Sequence, residues 1–141
     1  MYVQPYLFFG GRCEEASEFY HKAIGAEIVT KLRFKDAPEP PPPGVPTPDP
    51  EKIMHMAIKV GDSTFMAADG CNGPAVGFQG VSMTISVSKP EEADKVFNAL
   101  SEGGSIVMPM GPTFFSPRFG MVKDKFGLGW TILTTGNQPA N

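Results

Sequence analysis

The strongest constraint in this chain is an order of elements that occurs twice. Residues 5–29, PYLFFGGRCEEASEFYHKAIGAEIV, run from an apolar stretch through a double glycine and an amphipathic segment into a second apolar stretch. Residues 81–107 repeat that order as VSMTISV, SKPEEADKVFNALSEGG and SIV, with Glu14, Glu15 and Ala16 answered by Glu91, Glu92 and Ala93. Each strand–helix–strand unit must bury one side of its helix on a sheet that the flanking strands help to build.

Spacing carries the helices. Ala16, Phe19, Tyr20, Ala23 and Ile24 fall at i, i+3, i+4, i+7 and i+8, and Ala93, Val96, Phe97 and Leu100 repeat the pattern. Ser88, Lys89, Pro90 and Glu91 read as a capping box with proline in the first turn, and both helix starts carry acidic pairs. Adjacent helix residues point about 100° apart, so Glu14-Glu15 and Glu91-Glu92 read as caps and solvated faces, not paired catalytic carboxylates.

The remaining stretches complete two modules. Residues 3–9 and 26–34 read as strands around the first helix. Residues 35–52, KDAPEPPPPGVPTPDPEK, hold eight prolines and read as a mobile, partly polyproline II loop. Residues 53–60 and 63–69 form a hairpin about Gly61-Asp62. In the second half, residues 108–119, MPMGPTFFSPRF, read as a proline-rich connection leading to a last hairpin of residues 119–123 and 128–133. The division is a first β-α-β-β-β module over residues 1–70, a linker over 71–80, a second β-α-β-β-β module over 81–135 and a frayed tail over 136–141. The fold class is α+β, with eight strands in mixed sheets and two helices covering one face of them.

At 141 residues and 41% hydrophobic, the chain has ample material for one core or two small ones. A net charge of -3 and a pI near 5.3 give no pull toward nucleic acid or an anionic membrane, and neither is expected as a partner. With no long apolar segment and no leader-like N-terminus, the expected location is the cytoplasm. Cys13 and Cys71 lack metal-ligand spacing and read as free thiols.

The duplicated order, together with PYLFFGG, EEASEFYHKAIGAEI, KIMHMAIKVGDSTFMAAD and GPTFFSPRFGMVKDKFGLGWTI, resembles the PhnB-like branch of the vicinal-oxygen-chelate superfamily, which includes glyoxalase I, extradiol dioxygenases and bleomycin-resistance proteins. The resemblance covers residues 5–133 and implies curved sheets around an open cup, a homodimer and, in catalytic members, a divalent metal. The positions it assigns to metal ligands fall at Pro5 (or Gln4, one residue earlier), Met66, Ser82 and Thr131, which are not usual ligands for such an ion. Neither a metal nor a cofactor is therefore expected. The branch also carries a demethylubiquinone methyltransferase label, a chemistry that calls for a glycine-rich strand-to-helix loop on a parallel sheet; Gly10-Gly11 is a weak match.

The site candidates follow from strand faces. His55 is either a lone general base, an alternative metal ligand, or a plain strand histidine. Thr64 and Met66 share one strand face, and Ser82 and Thr84 another; with Tyr6 they line a pocket of hydroxyls and thioethers suited to a flat or aliphatic ligand. Met66 and Met110 fit a pocket or a core equally. Phe114, Phe115 and Phe119 must pack on something, as a lid or a subunit interface, and Arg118 either clamps an anion or extends into solvent. Trp130 belongs to the helix-facing side. Ser63, Ser82, Ser86 and Ser116 lack the flanking glycines of a nucleophile elbow. The function expected is binding or sequestration of a small organic molecule; the alternative is a lyase, isomerase or dioxygenase-type enzyme built on His55.

Overall fold

The computed structural model describes residues 1–40, 42–44, 48–70 and 77–135, and the chain divides into units Met1–Val76 and Gly77–Asn141. The first unit runs β1 (Tyr6–Phe8), α1 (Cys13–Ile24), β2 (Glu27–Arg33), β3 (Ile53–Val60) and β4 (Ser63–Ala68). The second runs β5 (Ser82–Val87), α2 (Pro90–Ser101), β6 (Ser105–Gly111), β7 (Phe119–Lys123) and β8 (Gly129–Thr134). The sheets have orders β1-β4-β3-β2 and β5-β8-β7-β6. In each unit the first strand lies parallel to the last, while the other pairs are antiparallel. The duplicated β-α-β-β-β order and the α+β class thus stand as read from sequence.

In the first unit the helix buries a stripe one step away from the one expected. Cys13, Ala16, Ser17 and Tyr20 are fully buried, whereas Phe19, Ala23 and Ile24 are only half-buried. Ser17 tolerates burial because its hydroxyl donates to the Glu14 carbonyl at 2.7 Å. Residue 12, the N-cap, is an arginine with no side-chain acceptor to offer. Asp69, at the end of β4, takes that role: Oδ1 accepts the Gly11 and Cys13 N–H groups at 3.0 and 2.8 Å, and Oδ2 accepts the Ile53 N–H at 2.7 Å. Gly61 adopts φ +56° at the first central position of the β3–β4 turn, which explains a Gly-Asp order there.

In the second unit Ala93, Phe97 and Leu100 face the sheet as their spacing requires, meeting Val122, Trp130 and Ile132. The capping box does not form: Lys89 is the N-cap, Pro90 opens the helix, and no side chain caps it. A further correction concerns β6, which continues through Met108, Pro109 and Met110 to Gly111 instead of ending before a connection. It lies at the sheet edge, where a missing N–H can be tolerated, and its register with β7 breaks on either side of Met108. Asp124 fastens the β7–β8 turn by accepting from Phe126 N–H, Leu128 N–H and Trp130 Nε1–H.

The proline-rich loop is tied at its base. Phe34–Asp36 is a single 3-10 turn, Phe34 and Lys35 donate to the Lys52 and Pro50 carbonyls, and Arg33 reaches the Glu51 carbonyl at 2.6 Å. Residues 41 and 45–47 of that loop, residues 71–76 of the expected linker with Cys71, and the tail over 136–141 lie outside the described residues. No described helix is long and apolar enough to cross a membrane.

Candidate functional site

Each sheet has a helix-covered face and a helix-free face, and strand alternation decides which side chains reach the latter. In β1, Leu7 is 5% exposed while Tyr6 and Phe8 on either side are 38% and 56% exposed. Tyr6 pairs with Met66, which also pairs with Ala57, two residues from His55 on the same face of β3. The result is an aromatic shelf. The Tyr6 and Phe8 rings stack with centroids 5.0 Å apart, and the His55 ring lies 5.7 Å from Tyr6. Tyr6 Oη and His55 Nδ1 share a hydrogen bond of 2.9 Å. Which atom donates is set by the imidazole tautomer, and in either case Nε2 remains for a ligand. Thr64 stands on this face two residues from Met66.

The helix-free face of the second sheet carries Ser82, Thr84 and Ser86, all exposed. Thr84 pairs with Thr131, and Ser82 Oγ bonds Thr131 Oγ1 at 2.7 Å. Met83 and Ile85 alternate with them on the other side.

Other residues singled out from sequence have different surroundings. Met110 lies on the helix side, its sulfur against Gly120 and beside the Phe97 ring, away from the hydroxyl face. Arg118 pairs through Nε with Asp94 of α2 at 2.7 Å. Phe115 makes edge contacts with Phe114 and Phe119 at 5.1 Å, while Phe114 is fully exposed. Trp130 is 2% exposed on the helix side, as its alternation requires.

Electrostatics concentrate on the helix side of the first unit. Glu14 binds both Lys31 and Arg33 of β2, and these hydrogen bonds hold its carboxyl below the usual range while raising the Arg33 guanidinium. Burial pushes the Cys13 thiol up to about 12, with the Asp69 and Glu14 charges adding to the effect. A thiol so placed is a packing group. Phe8 was missed as a site residue because the run YLFF is too uniformly apolar to reveal which of its members face out.

The metal positions implied by the resemblance sort into two pairs, one in each unit. Pro5 touches Met66 through its carbonyl, which accepts the Met66 N–H at 2.9 Å; Ser82 and Thr131 bond each other. A thioether, a carbonyl already in use and two mutually bonded hydroxyls do not fit a divalent ion. Among the described residues no three His, Cys, Asp or Glu side chains gather to hold one.

Against known proteins, residues 2–133 match a family described as 3-demethylubiquinone-9 3-methyltransferase. Protein YjdN of Escherichia coli (strain K12) is 32% identical, over 99% of each chain. Protein PA1353 from Pseudomonas aeruginosa superposes with a TM-score of 0.82 at 39% identity, over 97% of this chain and 99% of that one. A PhnB protein from Bacillus cereus, described as a putative 3-demethylubiquinone-9 3-methyltransferase, gives 0.78 at 29% identity, over 95% and 99%. At the level of fold alone, a glyoxalase/bleomycin resistance protein from Albidiferax ferrireducens T118 gives 0.59 at 15% identity, over 97% and 98%.

Proposed function

The chain belongs to the PhnB-like 3-demethylubiquinone-9 3-methyltransferase family on a glyoxalase/bleomycin-resistance fold, and from that premise we propose that it binds or sequesters a small organic molecule without turnover. The observation that carries this reading is the Tyr6–Phe8 shelf with His55 and Met66 beside it. Two exposed stacked rings next to a thioether suit a flat ligand, and the phenol–imidazole pair supplies a donor and an acceptor at its rim. Thr64, on the same face of the first unit, is a further polar contact in this proposal. The cytoplasm is the proposed compartment.

Methyl transfer, the activity in the family's description, draws no support from the Gly10-Gly11 turn. The Gly11 and Cys13 N–H groups at the start of α1 are both taken by Asp69, so they do not cradle a nucleotide-type donor. A second reading rests on the Tyr6–His55 hydrogen bond: a tyrosine that orients an imidazole makes His55 a general base for a lyase or isomerase. Exposed Ile28, Val29 and Phe114 support a homodimer, to be checked by sedimentation.

The test is an NMR screen with flat aromatic fragments, followed by substrate trials on the hits. Sequestration predicts hits that shift Tyr6, Phe8 and Met66 resonances, are lost in Tyr6→Ala, and persist without chemical change in His55→Ala. A turnover abolished by His55→Ala favours the enzyme. Hits that leave the shelf unshifted refute both.

A further inference from the structure

We propose that the second unit holds a separate, open binding groove for an amphipathic carboxylate, with apolar side chains along its wall for the ligand's chain and Lys123 for its anionic end. The groove has a volume of about 600 Å³ and is lined by Phe78, Val81, Ser82, Val107, Met121 and Lys123, a size typical of small-molecule sites. It uses none of the residues of the Tyr6 shelf, and the proposal stands whether or not that shelf binds a ligand.

Strand geometry builds it. Met121 and Lys123 are two residues apart on β7, so both face away from α2, while Val122 between them is 1% exposed on the helix side. Their partners across the ladder are Thr131 and Gly129. A side chain at Gly129 would begin 3.0 Å from the Val81 carbonyl. Glycine there lets residues 78–81 approach β8 closely, and that segment forms one wall. Val107 is the extra residue at a break in the β6–β7 register and is 60% exposed. The Ser82–Thr131 hydroxyl pair shares one hydrogen bond and so keeps an O–H free to donate.

Charge selects the ligand class. Lys123 is the one charged side chain of the lining, and among the described residues its ammonium has no carboxylate partner. Its neighbour Asp124 does not compete, because that carboxylate accepts Phe126 N–H, Leu128 N–H and Trp130 Nε1–H at 2.8, 3.1 and 2.8 Å. One cation and a hydroxyl donor beside valine, methionine and phenylalanine match a single carboxylate on an apolar body.

The test uses decanoate, below its micelle-forming concentration, and decan-1-ol as the uncharged control, followed by ¹H–¹⁵N NMR titration of the full chain. Decanoate should shift Ser82, Val107, Met121 and Lys123 and bind more tightly than the alcohol. Lys123→Gln should weaken decanoate roughly fivefold, as expected for one exposed ion pair, and leave decan-1-ol unchanged, while Lys123→Arg retains the preference. Val107→Trp, at an exposed position that keeps the fold, should block both probes. Equal affinity for the two probes, a Lys123→Gln variant that binds decanoate as before, or shifts outside the groove would overturn the proposal.

Discussion

Asp69 offers the sharpest quantitative check on how the first unit is held together. Its carboxylate joins the start of α1 to the start of β3, accepting three backbone N–H groups at 2.7–3.0 Å while only 7% exposed. Alanine at this position removes the only side-chain cap α1 has among the described residues, a loss of about 1 kcal/mol. It also strands the N–H groups of Cys13 and Ile53, residues that are 0% and 1% exposed, and each buried donor without a partner costs about 1–3 kcal/mol. Because the cap and the Cys13 donor overlap, the combined cost is about 3–5 kcal/mol. At roughly 3–4 °C per kcal/mol for a chain of this length, Asp69→Ala should melt about 9–20 °C lower. Asp69→Asn keeps one acceptor oxygen and should fall between. Circular dichroism melts, with urea titrations for the free energy, measure both. An Asp69→Ala variant that melts within about 3 °C of the parent would refute the view that this one carboxylate secures two elements.

Three further outcomes are expected. Because the Glu14 carboxyl is depressed when folded, its contribution is present above the ordinary value of 4.5 and is lost as pH falls through the lower folded value; Glu14→Gln should cost under about 1 kcal/mol at neutral pH and flatten the acid limb, as read from urea midpoints along a pH series. In a Cys71→Ser background, Ellman's reagent at mildly alkaline pH should leave native Cys13 unlabelled, given burial and a thiol near 12, and should titrate one thiol in denaturant; prompt native labelling would contradict this. Gly120→Ala places a methyl group against the Met110 sulfur and the Phe97 ring and should destabilise by about 1–3 kcal/mol, with Met110→Ala in the same chain recovering part of the loss; strictly additive losses would show that the two do not touch.

The architecture was legible in the sequence because it rests on periodicities that repeat. The 3.6-residue pattern gave both helices, and a two-residue pattern gave the facing of Trp130 and the hydroxyl face of β5. What escaped depends on partners distant in sequence. Nothing local to Arg12 says that its helix is capped from 57 positions away by Asp69, and nothing local to Ser17 says that it, and not Ile24, lies at the centre of the buried stripe. Pro109 argued for a connection because proline disrupts a ladder; that strand β6 is the last of its sheet, where the disruption costs little, is a fact of topology. In the candidate site, Tyr6, Met66 and His55 were each named from their strands, whereas their convergence with Phe8 required the parallel pairing of β1 with β4.

The irregular ladders of β2 and β6 have a consequence for how copies of this chain can meet. Both are outermost strands, both expose branched apolar side chains, and both carry breaks in register, between Ile28 and Thr30 and on either side of Met108. An extended peptide docking along either one finds its run of donors and acceptors interrupted, at β6 by an imino acid as well. Continuous sheet extension from one molecule to the next is thereby discouraged, and fibril-like stacking with it. Any self-association at these margins must be made by side chains, which lets the chain display valine and isoleucine to solvent without templating its own polymerisation.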